Sequence, residues 1–108
     1  MENIQLDSLS IYKMAVGRLS LKLTEKVDWW GFPDYAPKLM QLLGGDVIKR
    51  NDPIVDMVIW DVRIEDIDFW FVYEDFPQMV SLEPSKEACD ALIHKLYEKL
   101  KSIRDSQQ

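Results

Sequence analysis

Residues 55–74 constrain this chain more than any other stretch. In VDMVIWDVRI, Val58, Trp60, Val62 and Ile64 take every second position, with Ile59, Asp61 and Arg63 between them. In IDFWFVYE, Ile67, Phe69, Phe71 and Tyr73 alternate with Asp68, Trp70, Val72 and Glu74. A period of two belongs to a pleated strand, whose successive side chains point to opposite faces. The intervening IEDID leaves room only for a tight connection, so the two segments pair as a hairpin. One face of that hairpin is apolar and carries most of the rings, and the other sets Trp70 among carboxylates.

The flanking segments fill out a sheet. Residues 8–14 and 18–25 alternate apolar and polar positions around Gly17, which suits a turn, so a second hairpin is expected there. Leu9, Tyr12, Val16 and Leu19 also suit a helix, so residues 8–14 are open to both readings. DWWGFPDYAPKLMQLLGG reads as a turn and a helix of about three turns, with Pro33 and Pro37 near its start, where a missing N–H costs little. Ala36, Leu39, Met40 and Leu43 form its inward stripe, and Gly44–Gly45 ends it. DVIKR and residues 78–83 add short strands. The last helix is expected from Pro84, with Ser85 as N-cap and Glu87 in its first turn. Its stripe is Ala88, Cys89, Leu92, Ile93, Leu96, Leu100 and Ile103. Lys95, Lys99, Lys101 and Arg104 crowd its C-terminal half, where cations are favoured. The order is β-β-α-β-β-β-β-α: an α+β fold with an antiparallel-rich sheet of five or six strands and two helices on one face. Residues 1–108 form a single domain with a core over about 8–103, and residues 104–108 are expected to fray.

The chain has 108 residues, of which 47% are hydrophobic, enough for a packed core without staples. Its one cysteine, Cys89, fits a reducing compartment, and no leader-like or membrane-length apolar run is present. A cytoplasmic location is expected. The net charge is −6, which argues against a nucleic-acid partner. Between Asp52 and Asp75 stand eight acids and one base, Arg63, a local charge of −7 that leaves +1 on everything else. The acidity is therefore a patch.

Catalytic readings find little support. His94 shares a helix face with Asp90 and Glu98, a trio able to hold a metal, but ordinary i,i+4 pairing on a solvated face is the preferred reading. Cys89 falls on an apolar stripe rather than in the exposed, positive setting of a reactive thiol. One histidine cannot serve a Ser-His-Asp set, and Gly44–Gly45 is no phosphate loop. Asp61, Glu65, Asp66 and Asp68 are dense enough for a metal-dependent nuclease, yet no lysine falls between Arg50 and Lys86. No enzyme activity, cofactor or metal is expected. Trp60 reads as core. Trp70 stands either among acids on an open face or beneath a helix, and at least one of Trp29 and Trp30 should be partly exposed.

The stretches LSLKLTEKVDWWGFPDYAPKLMQLLGG, IWDV and VYEDFPQMVSLE, with the closing amphipathic helix, resemble a family of small uncharacterised gammaproteobacterial proteins over roughly residues 18–100. In size, acidity and architecture the chain is also similar to immunity proteins of bacterial contact-dependent growth inhibition systems. That resemblance implies a protein that binds and neutralises a cognate toxin domain, commonly a basic nuclease, as a monomer or in a 1:1 complex. A basic active-site surface would be met by Asp61, Glu65, Asp66, Asp68, Glu74 and Asp75, with Trp70, Tyr73 and Trp29 as aromatic anchors. The alternative is a cytoplasmic adaptor that uses the same patch on another basic protein.

Overall fold

A computed structural model describes residues 3–107. The elements are β1 (Ser10–Lys13), β2 (Leu19–Thr24), α1 (Phe32–Leu43), β3 (Asp46–Arg50), β4 (Met57–Ile64), β5 (Ile67–Asp75), β6 (Gln78–Pro84) and α2 (Asp90–Ser106). The expected order and α+β class hold. The six strands form one sheet, β1-β2-β6-β5-β4-β3, and every neighbouring pair is antiparallel. The connection through α1 carries the chain from β2 to the far edge at β3. From there β3 to β6 return as a meander until β6 closes against β2.

α1 lies over β3 and β4, and α2 over β1 and β2, so both helices cover one sheet face. The alternation seen in the sequence explains why that face was chosen. Val58, Trp60, Val62, Ile64, Phe69, Phe71 and Tyr73 are buried together with Leu21, Leu23, Val80 and Leu82. Phe32 of α1 sits edge-on to Trp60 and Phe71, with centroids 5.0 and 5.5 Å away, a geometry that aligns ring edge with ring face. Burying each such ring contributes about 2 kcal/mol or more of transfer free energy. Arg50 stacks over Trp60 at 4.8 Å and covers it at the sheet edge.

The β4–β5 connection is the tight turn that IEDID implied. Ile64 pairs with Ile67, and Glu65 and Asp66 take φ of 51° and 65°. Two successive left-handed residues match the right-handed twist of the flanking strands. β1 pairs with β2 from Ser10↔Lys22 to Lys13↔Leu19, so the strand reading of its ambiguous pattern is the one realised. α1 stops at Gly44, whose φ of 69° places it in the left-handed conformation that glycine tolerates best.

Three expectations are corrected. α2 begins at Asp90 rather than at Pro84–Ser85. Pro84 is the last residue of β6, and Ser85 donates its backbone N–H to Asp68 O, 3.2 Å away, so the sheet holds these residues out of the helix. Ala88 consequently leaves the helical stripe, and Cys89 becomes the N-cap with no side-chain capping bond. Pro37 lies inside α1 rather than at its first turn. Residues 104–107 are not frayed either: α2 runs to Ser106, and Gln107 accepts from Ile4 N–H at 2.8 Å and donates to Ile4 O at 3.1 Å. Gln108 lies outside the described residues.

Candidate functional site

Neither helix packs on the second sheet face, which carries Asp61, Asp68, Glu74 and Glu83 together with Ile59, Trp70 and Val72, the last of them buried. One row across it reads Glu83, Trp70, Asp61 and Lys49, set by the pairings of β6, β5, β4 and β3. Trp70 is thus flanked by carboxylates on an open face and half-buried, not roofed by a helix. It borders a shallow cleft with Ile48, Asp61, Asp68 and Lys86.

The fold neutralises part of the acidic cluster with Arg63 from within it and with Lys86 and Lys95 from distant sequence. Asp68 bonds to Lys86 Nζ at 2.7 Å and to Arg63 Nε at 2.9 Å, and these two partners hold its carboxyl below the usual range. Glu65 pairs with Lys95 of α2 at 2.9 Å. Glu65 and Asp66 form the turn at one end of the sheet, whereas Glu74 and Asp75 lie at the other. The nine residues anticipated as one surface are therefore divided among two ends, an open face and, for Tyr73, the core.

Tyr73 and Trp29 take roles other than the exposed anchors expected of them. Tyr73 faces the core and is fully buried. Burial, followed by its hydrogen bond to Asp75 Oδ1 at 2.6 Å, pushes its phenol up to about 12. Trp29 is partly buried, edge-on to Tyr73 at 5.9 Å. Together they form the floor of one end of the molecule.

Three connections converge on that floor. The segment 25–31 reaches it through Trp29, and Gln78 Nε2 donates to Glu25 O at 2.8 Å. Asp75 N–H donates to Asp56 O at 3.0 Å, which ties the β5–β6 turn to the loop before β4. This loop end carries Asp28, Asp52, Asp56, Glu74 and Asp75, none of which makes an ion pair among the described residues. Of the cations closest in sequence, Arg50 is stacked on Trp60 and Lys26 is exposed. Trp30, Phe76, Ile54 and Val55 are exposed on the same three connections. Alternation could not reveal them, because loops have no period. The only available signal was that large apolar residues occupy segments otherwise written in Asp, Gly and Pro.

Asp90, His94 and Glu98 are all exposed on α2, and no group of three metal-ligating side chains converges among the described residues. Burial, then Asp90, pushes the Cys89 thiol up, away from a reactive thiolate. On the open face, burial raises the Glu83 carboxyl against the bonds that Ser81 and Tyr12 give it. No described helix is long and apolar enough to cross a membrane.

No curated protein and no solved structure matches the chain. A family model described as a protein of unknown function matches residues 9–101, from the start of β1 into the last turns of α2. The chain therefore belongs to the DUF3630 family.

Proposed function

We propose that this protein is a non-enzymatic binding protein, and specifically an immunity protein that captures a basic toxin domain and blocks it. One observation carries the reading: five carboxylates, none in an ion pair among the described residues, stand at one end of a small domain, while at the opposite end Asp68 is paired to Lys86 and Arg63 and Glu65 to Lys95. Holding like charges close together disfavours the free protein, and a positively charged partner relieves that repulsion on binding. A nuclease is the toxin class that fits best, since its active site must attract phosphate and is therefore basic. Charge complementarity of this kind accelerates encounter and rejects acidic partners.

The test is co-expression. The product of the gene immediately upstream is expressed alone and together with this chain, and growth is followed. Arrested growth that recovers on co-expression, with the two proteins co-purifying, supports the immunity reading. A harmless upstream product that still co-purifies would favour the adaptor reading, in which the same loop end holds a basic housekeeping protein in the cytoplasm. Arrest without rescue or complex would sink the immunity reading.

A further inference from the structure

Resting on the reading that the partner is a basic protein, we infer that it docks on the loop end through an apolar anchor made by Trp30, Ile54, Val55 and Phe76, and that the partner offers an apolar cleft rimmed by Lys or Arg. The accessibilities are out of proportion to the residue types: 83% for Trp30, 82% for Phe76, 93% for Val55 and 66% for Ile54. Single exposed apolar side chains are ordinary, but four on three adjoining connections mark an interaction site. Tryptophan and phenylalanine bury much area at small conformational cost, and such residues dominate binding energy where polar groups ring them. Here the ring is supplied by Asp28, Asp52, Asp56, Glu74 and Asp75.

The backbone beneath the anchor is also unusual. Val55 has φ of 52°, a left-handed conformation that a β-branched side chain adopts only under constraint. Locally, the bonds between Ile54 and Met57, 2.8 Å and 2.9 Å long, close a turn around it. The turn holds an isopropyl group out in water at a cost that nothing within the domain returns, the pattern expected of a recognition residue. The floor is rigid, because Trp29, Tyr73 and Asp75 join the connections to the core. A partner would thus order few side chains on this side of the contact.

The charge selects the occupant. A second copy of this chain would bring the same five carboxylates against themselves, and like charges face to face oppose association. A basic partner satisfies the rim and the anchor together. The hairpin turn at Glu65–Asp66, acidic but without an exposed ring and with Glu65 already paired to Lys95, has no comparable anchor.

Phage-displayed random peptides selected on the immobilised full chain supply the probe, and a synthetic copy of the strongest clone supplies the affinity. The expected peptides combine Lys or Arg with a large apolar residue, and Trp30→Ala and Phe76→Ala each weaken binding at least tenfold. Val16→Ala, which removes an exposed apolar side chain at the opposite end, should bind as the wild type does. Both anchor variants should melt with the wild type, since neither side chain is buried. Basic peptides that tolerate either variant would overturn this surface while leaving the basic-partner reading intact. Acidic or neutral peptides that depend on Trp30 and Phe76 would overturn the charge of the partner and leave the anchor. Failure to enrich any peptide overturns the inference, as does a self-association on sedimentation that Trp30→Ala abolishes.

Discussion

A Cβ at Gly45 would lie 2.8 Å from the Arg63 carbonyl oxygen and 2.8 Å from Ile64 Cγ1, so α1 and β3 meet β4 there with no room for a methyl group. Gly45→Ala should therefore lower stability by about 1–3 kcal/mol, read as a shift in the urea midpoint at unchanged slope. Its neighbour Gly44 has open space around it but a left-handed φ, so the pair that ends α1 combines two different requirements. Asp7 shows a charged side chain acting structurally. Its carboxylate accepts from Thr24 Oγ1, from Glu25 N–H at 3.2 Å and from Ser8 Oγ at 3.0 Å, which pins the approach to β1 against the end of β2. Burial pushes this carboxyl up, but the three bonds outweigh it and hold it below the usual range. A carboxyl depressed on folding stabilises the protein above its unfolded value of about 3.9 and loses that contribution as pH falls through the folded value. Asp7→Asn should lower stability at neutral pH and flatten the acid limb of the stability curve below about pH 4. An unchanged acid limb would contradict this role.

Among the elements, the β4–β5 hairpin was the most legible because both strands keep strict alternation over their length, and a slip by one residue would turn Trp60 and Phe71 out of the core. Its turn is less favourable than the strands. Glu65 and Asp66 stand where Asn-Gly is preferred, with both residues left-handed. Asp66→Gly should raise stability by up to about 1 kcal/mol, and it keeps the Glu65–Lys95 pair that a change at Glu65 would lose. A lower melting temperature would mean that Asp66 has a structural role not visible in its contacts. The start of α2 was misread for a local reason. Pro84 and Ser85 have the composition of a helix N-terminus, yet Ser85 is bonded to Asp68 and the ladder of β6 continues through Pro84. Local propensity gives way to the pairing of a strand with its neighbour. The C-terminal residues looked polar enough to fray, and their anchorage to Ile4 joins positions 103 residues apart, a separation no local pattern encodes.

At the scale of the molecule, six strands and two helices produce one covered face, one open face and two ends of unlike character. The covered face could be anticipated from periodicity and the open one from its polar complement. Of the candidate site, the acids Glu74 and Asp75 were legible, but the gathering of three connections was not, because it depends on the packing of Trp29 on Tyr73 and on the bond between Asp75 and Asp56. The sequence density of acids over 52–75 reads as one patch, whereas the fold pairs Asp68 with Lys86 and Glu65 with Lys95 at the hairpin end. Asp61, Asp66 and Glu83 also make no ion pair among the described residues, but five such carboxylates share the loop end. Attraction between exposed charges is screened beyond roughly 8 Å at physiological ionic strength, so a complex built on this end must respond to salt. The most direct measurement is the affinity of the purified chain for the upstream gene's product at about 50 and about 500 mM sodium chloride, a range that shortens the screening length severalfold. A complex weakened at least tenfold by the higher salt is the predicted result. No complex at either concentration, or one indifferent to salt, would contradict the claim that this protein works by presenting an acidic surface to a basic partner.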